Sequence, residues 1–346
     1  MPSNHFPSSE YRLLDSLKPF LHFRKSRRYP VSIGDDAAIR NCLAHETLVL
    51  TADSFIEKIH FSFEYMTAPE VGFKAMAINL SDCAAMGALP DGALVQIIFP
   101  EKISAQRLKT TIRGLYRGFN EACRKWDFPV IGGNLSRGPC WIIDITLIGR
   151  AEKGSRLLKR NHAQNNDGLW VTGRPGESGA GLACLKKWGG VAKIPKKFLH
   201  YIEKHIRPVP RIEFGTALSR NPLVHAAIDI SDGVSKECHT LSYENKLGII
   251  VTIDDADADA CVSRSLKQLG SLLRKDWHTW FFNGGEDYEL LFAASKAFDP
   301  LALINKYRIP ITRIGTFTRS ASGVFIRDSA GTIRPLKKGG WDHLKF

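Results

Sequence analysis

The 346-residue sequence contains no long hydrophobic run. Its longest apolar stretches, residues 93–100 and 141–149, have the length of strands and are interrupted by Gln96 and Asp144. A membrane-spanning helix needs roughly 18 consecutive apolar residues, so we expect no membrane contact. Residues 1–7 also lack the basic segment and following apolar segment of a secretory signal. We therefore expect a protein that stays in the cytoplasm.

Cysteine is sparse, and no two cysteines form a C-x-x-C pair. The seven cysteines are Cys42, Cys83, Cys123, Cys140, Cys184, Cys238 and Cys261. The odd number and the wide spacing exclude a disulfide framework and a structural zinc site. Small, buried, reduced side chains are the expected state of most of them.

Several catalytic motifs are missing. The sequence has no G-x-x-x-x-G-K-[ST] segment, no G-x-S-x-G segment and no H-E-x-x-H segment. These absences exclude a Walker P-loop, the nucleophile turn of an α/β-hydrolase and a zinc-protease helix.

Acidic residues are fewer than basic ones, 35 against 48, which gives a net charge of +13. Nucleic acid, an acidic membrane surface and small anionic substrates could each explain that excess, as could a general solubility role. The basic residues form short clusters without interleaved aromatics, and no helix-turn-helix or zinc-finger spacing is present. We expect no nucleic-acid partner and keep a non-catalytic nucleotide- or RNA-binding protein as the alternative class.

Short apolar, β-rich runs alternate with longer helix-like stretches, which predicts an α/β (or α+β) fold. Strands are predicted at residues 47–51, 93–99, 129–131, 141–149, 169–172, 226–230, 247–253, 288–293 and 324–327. Helices are predicted at residues 69–86, 105–126, 178–187, 197–206, 211–219 and 234–245. Residues 150–167 carry little apolar periodicity, so we predict two domains, residues 1–150 and 151–346.

Carboxylates recur in short turns that also carry Gly or Ser, many of them just after a predicted strand. These turns lie at residues 33–37, 50–54, 79–82, 228–233 and 284–289. Each one alone is more typical of a helix cap. If they converge, the carboxylates repel one another unless cations lie between them. Such oxygen ligands suit Mg²⁺ bridging phosphates, the arrangement of phosphoryl transfer.

Two glycine-rich segments follow predicted strands, at residues 131–134 and 173–181. Glycines after a strand let backbone N–H groups approach a phosphate. The second segment is more typical of structural packing, whereas Asn134 gives the first an adjacent polar oxygen. Among the eleven histidines, His60 follows Asp53 closely, although a structural role is the more common one for such a residue.

The motifs occur in an order that resembles one family. They are GDDAA (34–38), T-x-D (51–53), IHF (59–61), KAMAINLSDCAAMGALP (74–90), IGGN (131–134), DISDG (229–233), GGEDYELLF (284–292) and GGWDH (339–343). Together they resemble the thiamine-monophosphate kinases of the aminoimidazole-ribonucleotide-synthetase-like ATP-binding superfamily, from about residue 10 onward.

The resemblance implies an N-terminal ATP-binding domain, a C-terminal α/β domain and a homodimer with ATP bound at the subunit interface. It implies transfer of the ATP γ-phosphoryl group to thiamine monophosphate. The implied magnesium ligands are Asp35, Thr51, Ala52, Asp53, Asp82, Asn134, Asp229 and Asp232, with Ala52 acting through its backbone. The implied ATP contacts are Tyr116, Gly133, Asn134, Arg160 and Ser231, and the implied substrate contacts are His60, Glu286 and Trp341. Asp82, Asp232 and Arg160 are the implied catalytic groups.

Two positions depart from the usual family pattern. Asn134 stands where many relatives carry Asp, and Ala52 stands where Thr is usual. The first change removes a negative charge from a metal site, so we expect weaker Mg²⁺ binding rather than its loss. The carboxylates at the other implied metal positions are retained, and we expect an active enzyme.

Other members of the superfamily are the rival enzymes. A selenide-water dikinase needs a reactive Cys in an N-terminal glycine-rich loop, and no Cys precedes Gly34. The hydrogenase-maturation relative ends in a reactive Cys, whereas this sequence ends in Phe346. Aminoimidazole ribonucleotide synthetase remains the enzyme alternative, although its acidic and glycine-rich signatures differ from GGEDYELLF.

Overall fold

The computed structural model of the protein describes residues 13, 16–20, 27–31, 33, 37–252 and 261–341. The chain forms two compact units. The first comprises residues 1–79 and 90–150, and the second comprises residues 80–89 and 151–346. Residues 80–89 thus group with the later part of the chain, whereas the sequence-based boundary assigned them to the first domain.

The first unit is built on a four-stranded sheet. Its elements are β1 (Leu48–Ile56), α1 (Ala68–Met86, whose last residues belong to the second unit), β2 (Leu89–Pro100), α2 (Ala105–Trp126), β3 (Val130–Gly138) and β4 (Ile142–Arg150). The strand order is β1-β4-β2-β3, with β1 antiparallel to β4 and β2 parallel to β3. Strands β1 and β3 are therefore the two edges of this sheet.

Local sequence signals explain the bounds of helix α2. The Ser104 side chain accepts a hydrogen bond from the Arg107 backbone N–H at 3.3 Å, as an N-cap residue does. At the other end Asp127 adopts a left-handed conformation, with φ of 53°. Ile112, Leu115 and Phe119 lie on the buried face between these caps.

Glycines bring α1 and α2 into backbone contact. A Cβ atom on Gly72 would lie 2.2 Å from the Leu115 carbonyl oxygen, and one on Gly118 would lie 2.0 Å from the Pro69 carbonyl oxygen. Both obstacles are backbone atoms, which cannot rotate away as a side chain can. The spacing of these two helices thus depends on the absence of side chains at two positions.

The second unit is built on a seven-stranded sheet in the order β11-β10-β7-β9-β5-β8-β6. Its strands are β5 (Gly168–Thr172), β6 (Val224–Asp229), β7 (Gly248–Thr252), β8 (Leu290–Ala294), β9 (Ile311–Thr318), β10 (Val324–Arg327) and β11 (Ile333–Pro335). Its helices are α3 (Glu177–Trp188), α4 (Leu199–Ile206), α5 (Ile212–Arg220), α6 (Val234–Asn245), α7 (Arg264–Leu273), α8 (Trp277–Asn283) and α9 (Leu301–Tyr307). Among the registered strand pairs that the structure describes in this second sheet, only that of β10 with β7 is parallel.

The mixed α/β class predicted from the sequence is confirmed, and each predicted helix overlaps an observed one. Strands β9 and β11 and helices α7, α8 and α9 were not predicted. Three segments interpreted as turns lie within regular elements: residues 50–54 in β1, paired with β4, residues 79–82 in α1, and residues 132–134 in β3, paired with β2. A Cβ on Gly133 would lie 1.8 Å from the Val95 carbonyl oxygen, so glycine serves the close approach of these two strands.

None of the helices within the described ranges is both long enough and apolar enough to cross a bilayer.

The contact between α1 and α2 generates a stability prediction. Glycine-to-alanine replacement normally stabilises a helix by up to about 1 kcal/mol. We expect Gly118→Ala to do the opposite and to lower stability by about 2 kcal/mol, because the new methyl group meets backbone. The thermal unfolding midpoint measures this effect. Thr110→Ala, at an exposed position of the same helix, is the control; an unchanged or raised midpoint in Gly118→Ala would contradict the packing argument.

Candidate active site

The end of strand β6 carries a buried carboxylate. Asp229 is the last residue of β6 and is paired in register with Leu290 of β8. The Ser81 hydroxyl donates a hydrogen bond of 2.7 Å to Asp229 Oδ2, and both side chains are buried. Ser81 immediately precedes Asp82 on α1, within the part of that helix that belongs to the second unit. A buried carboxylate requires such a donor, because desolvation disfavours its charge.

The chain then turns through Ser231, Asp232 and Gly233 into helix α6. Gly233 is the N-cap residue and has φ of 120°, a conformation that side chains rarely adopt. The Asp232 backbone N–H donates to Glu237 Oε1 at 3.3 Å, so a carboxylate from the first turns of the helix reaches back to the preceding loop. This contact ties the loop before the helix to a side chain of the helix itself.

Three carboxylates at this turn act on one another. Burial chiefly, and then the negative charges of Asp229 and Asp232, raise the pKa of Glu237 to about 8, although the Asp232 backbone N–H and Arg160 act in the opposite direction. The charges of Asp229 and Asp232 make this an acidic turn, with Arg160 as a nearby cation. The Arg160 carbonyl also accepts a hydrogen bond from Asn245 Nδ2 at 2.7 Å.

The motif at residues 284–289 lies directly beside this turn. The Glu286 backbone N–H donates to the Ser231 carbonyl at 2.6 Å, and Glu286 has φ of 55°. Glu286 Oε2 lies 3.4 Å from Nδ1 of His205, a buried residue whose Nδ1 is also 3.2 Å from the Ser178 hydroxyl. Backbone pairing thus places Glu286 beside the acidic turn, and His205 contacts its carboxylate.

Asp287, the next residue, caps helix α3. Its carboxylate accepts hydrogen bonds from the Gly176 backbone N–H at 2.8 Å and from the Ser178 backbone N–H at 3.1 Å. Burial, assisted by the neighbouring Glu289 and Glu177, nevertheless raises the pKa of Asp287 to about 8. This carboxylate is occupied by a helix terminus and is not directed at the acidic turn.

Glu289 is the third carboxylate of the motif and forms a buried ion pair. Its two oxygens bind the Arg211 guanidinium in a bidentate arrangement, with 2.7 Å from Nε to Oε2. The Thr172 hydroxyl adds a hydrogen bond of 2.6 Å to Oε2. Burial alone would raise the pKa of Glu289, but Arg211 and Thr172 outweigh it and lower the pKa. This network was not predicted, since nothing in the sequence joins residues 172, 211 and 289.

The segment that carries Trp341 returns to the same turn. The Trp341 backbone N–H donates to the Asp232 carbonyl at 3.2 Å, and about half of the Trp341 side chain is exposed. Lys236 Nζ lies 2.6 Å from Asp232 Oδ2 and 2.8 Å from the Trp341 carbonyl. The second unit therefore brings together several residues that the family resemblance implies: Arg160, Asp229, Ser231, Asp232, Glu286 and Trp341.

Five implied residues of the first unit lie on the two edge strands of its sheet. Thr51, Ala52 and Asp53 lie on β1 and pair with residues 147, 146 and 145 of β4. Gly133 and Asn134 lie on β3 and pair with residues 95 and 96 of β2. Three interstrand spacings, about 14 Å along the sheet, separate β1 from β3. The fold of this unit thus does not place Asp53 and Asn134 on neighbouring strands.

His60 and Tyr116 have defined surroundings in the first unit. The Ile56 backbone N–H donates to His60 Nδ1 at 3.1 Å, which leaves the His60 proton on Nε2 as a donor. The His60 ring stacks on Phe55, with 6.0 Å between ring centroids. Tyr116 is buried on α2, and burial raises its pKa to about 12, so its hydroxyl remains neutral.

The oxygen donors available at the acidic turn determine whether a metal ion fits there. Asp35 lies outside the described residues. Among the residues that are described, no group of three His, Cys, Asp or Glu side chains is arranged to hold a metal ion. Mg²⁺ does not require such a group, because it is typically held by one or two carboxylates and completes its octahedron with water and phosphate oxygens. Asp229 and Asp232, in a region of mutual carboxylate repulsion, supply oxygen ligands of that kind.

The Glu289–Arg211 pair generates a prediction on stability and pH. Glu289→Gln leaves Arg211 buried without its counter-charge and is expected to cost about 3 kcal/mol at neutral pH. Because the folded-state pKa of Glu289 is lowered, this stabilisation is present above the ordinary glutamate pKa of about 4.3 and is lost as the pH falls through the folded-state value.

The thermal midpoints of the wild type and Glu289→Gln should therefore converge on acidification. Glu244→Gln, at an exposed position, is the control, and its thermal midpoint should equal that of the wild type at every pH. A difference in thermal midpoint between the wild type and Glu289→Gln that stays constant from neutral pH down to about pH 3 would contradict the assigned ion pair.

Comparison with known proteins agrees with the motif order and the fold. Residues 34–151 match the family model "AIR synthase related protein, N-terminal domain". The chain is 30% identical to the thiamine-monophosphate kinase of Bacillus subtilis (strain 168) over 342 residues, which cover 97% of this chain and 99% of the relative.

Two solved structures are similar over nearly the whole chain. One is the thiamine-monophosphate kinase from Stenotrophomonas maltophilia K279a, with a TM-score of 0.78 and 30% identity, covering 92% of this chain and 96% of that one. The other is AaThiL complexed with AMPPCP and TMP, with a TM-score of 0.74 and 29% identity, covering 97% of each chain. Sequence identity over full length, motif order and fold agree, and the chain belongs to the thiamine-monophosphate kinase family.

Proposed function

We propose that the protein transfers the γ-phosphoryl group of ATP to thiamine monophosphate and forms thiamine diphosphate and ADP. One observation carries this proposal: within the second unit, Ser231 and Asp232 are joined by backbone hydrogen bonds to Glu286 and Trp341. Residues suited to phosphate and metal thus adjoin residues suited to an organic cation. A related structure with both AMPPCP and TMP bound supports the same pair of substrates.

The proposed residue roles follow the family resemblance. The magnesium ligands are Asp35, Thr51, Ala52, Asp53, Asp82, Asn134, Asp229 and Asp232; the ATP contacts are Tyr116, Gly133, Asn134, Arg160 and Ser231; the substrate contacts are His60, Glu286 and Trp341. When bound, Mg²⁺ would supply positive charge that offsets the charge on phosphate oxygens during transfer. The hydrogen bond from Ser81 holds Asp229 in one orientation for that role.

The mechanism that fits this site is in-line displacement without a covalent enzyme intermediate. The acceptor is a phosphate that is already ionised near neutral pH, so no strong general base is needed. The residues then act by positioning and by neutralising charge. Arg160 is a cation close enough to the acidic turn to oppose the upward shift in the pKa of Glu237, whereas Lys236 is already paired with Asp232. We propose that Arg160 pairs with phosphate oxygens during transfer.

The substrate contacts suit thiamine chemically. A half-exposed indole such as Trp341 offers an aromatic face to the thiazolium cation. Glu286 is fixed by its backbone bond to Ser231 and by contact with His205, so its carboxylate has a defined place for a positively charged or hydrogen-bonding group of the substrate.

Further parts of the proposal concern organisation and location. We propose that residues 1–150 bind ATP and metal, that residues 151–346 complete the enzyme, and that the chain acts as a homodimer. A cytoplasmic location and the absence of a nucleic-acid partner are proposed on the grounds given by the sequence.

An assay with purified protein tests the function and its metal requirement. We expect thiamine diphosphate and ADP to form in equal amounts from thiamine monophosphate and ATP. Excess EDTA should abolish turnover and added Mg²⁺ should restore it, because uncompensated phosphate charges oppose transfer. Tight, salt-sensitive RNA binding without turnover would instead favour the non-catalytic alternative.

Single carboxylates test the proposed metal ligands. We expect Asp82→Asn and Asp232→Asn each to lower kcat by at least about 100-fold, since each removes a charge proposed to hold Mg²⁺. The thermal unfolding midpoint of each variant should remain near that of the wild type. Glu203→Gln removes one charge from an exposed position and should retain full activity. Near-normal turnover of both aspartate variants would contradict the assignment.

A further inference from the structure

The segment at residues 336–341 lies along the start of helix α6 and is held there by side chains of that helix. The Ser235 hydroxyl donates to the Lys337 carbonyl at 2.8 Å and accepts from the Gly339 backbone N–H at 3.2 Å. One turn further along, His239 Nε2 lies 2.8 Å from the Leu336 carbonyl. Because a carbonyl only accepts, Nε2 is the donor.

Lys236 makes the contact nearest to Trp341. Its ammonium group reaches two acceptors at once, Asp232 Oδ2 at 2.6 Å and the Trp341 carbonyl at 2.8 Å. The Trp341 backbone N–H returns to the Asp232 carbonyl at 3.2 Å. Gly340, which directly precedes Trp341, has φ of 93°, and a Cβ atom on Gly340 would lie 2.4 Å from the Asp232 carbonyl oxygen. Both backbone polar groups of Trp341 are thus tied to Asp232, one directly and one through Lys236.

An ordinary surface ion pair does not account for this arrangement. Asp232 and Lys236 have the i, i+4 spacing of helical ion pairs, which contribute little when exposed. Here the same ammonium also binds a backbone carbonyl more than a hundred residues further along the chain. Hydrogen bonds from a charged donor are stronger than neutral ones, so Lys236 contributes to the position of the segment and not only to helix α6.

We propose that Lys236 is a positioning residue for the substrate: it holds the Trp341 backbone beside Asp232 and thereby sets the affinity for thiamine monophosphate. Lys236 contacts Asp232, a proposed magnesium ligand, and Trp341, a proposed substrate contact, but is itself assigned neither role. Ser235 acts in the same way on the preceding residues of the segment. This inference rests on the proposed function for the identity of the substrate, but the positioning of the segment can be measured without turnover.

The experiment combines hydrogen exchange with steady-state kinetics on the full-length protein. Lys236→Met removes both contacts and is expected to speed amide exchange in residues 336–341 and to raise KM for thiamine monophosphate, each by about tenfold. KM for ATP and kcat should change much less than KM for thiamine monophosphate, because Lys236→Met removes the contact with Trp341 but leaves the Asp232 carboxylate in place. Lys236→Arg keeps a charged donor and should retain most of the wild-type affinity.

Two further variants separate positioning from charge. Ser235→Ala removes two hydrogen bonds that hold residues 336–341 but keeps the Asp232–Lys236 pair. It should change amide exchange and KM for thiamine monophosphate in the same direction as Lys236→Met. Lys296→Met removes the same charge at an exposed position of the second unit and should change neither. The thermal unfolding midpoint checks that each variant is folded.

The possible results lead to distinct conclusions. Unchanged exchange in Lys236→Met overturns the inference, whether or not the enzyme is active, as does faster exchange with an unchanged KM for thiamine monophosphate. An equal loss of affinity for ATP would also overturn it, because the effect would then lie in the acidic turn. If the wild type does not phosphorylate thiamine monophosphate, the proposed function fails, and the exchange comparison still decides whether Lys236 holds the segment.

Discussion

Burying a carboxylate is costly unless a donor or a cation compensates it, and the second unit of this protein is organised around that constraint. Asp229 has the hydroxyl of Ser81, Asp287 has two backbone N–H groups, and Glu289 has the Arg211 guanidinium. Arg211 offsets the burial of Glu289 and lowers its pKa, whereas the two N–H groups do not offset the burial of Asp287, whose pKa is raised. At the start of α6, burial first and then the charges of Asp229 and Asp232 raise the pKa of Glu237. Carboxylate oxygens grouped in this way are the ligands that a site for divalent cations and phosphate requires.

The need to compensate buried charge gives the three carboxylates of the motif at residues 284–289 different roles. Glu286, Asp287 and Glu289 lie within four residues, yet the first contacts His205, the second caps α3 and the third pairs with Arg211. The sequence pattern predicts that this acidic segment matters, but it does not separate a carboxylate that faces a substrate from one that supports a helix. The difference lies in which distant residue the fold places opposite each oxygen.

The fold itself was predictable in its class and in most of its elements. The helix at residues 105–126 was predicted with its observed bounds, and the structure shows that it begins after the cap at Ser104 and ends at the left-handed residue Asp127. Strand β9 and helices α7 to α9 were missed, because their stability depends on packing against neighbours that a local pattern does not reveal. Gly132 and Gly133 were read as a turn, since a glycine pair signals a turn locally, whereas here the glycines permit two strands to approach closely.

Local sequence and motif order were sufficient to establish the α/β class, the family and the identity of the candidate residues, because caps, periodicity and short motifs depend on neighbours in the chain. They did not establish the partners of those residues. Ser81 meets Asp229 across 148 positions, and Lys236 meets Trp341 across 105. Such contacts exist only when sheet pairing and helix packing are complete. The chemistry of each carboxylate was therefore settled by the folded arrangement, since the pKa and orientation of a buried charge depend on the groups around it in space.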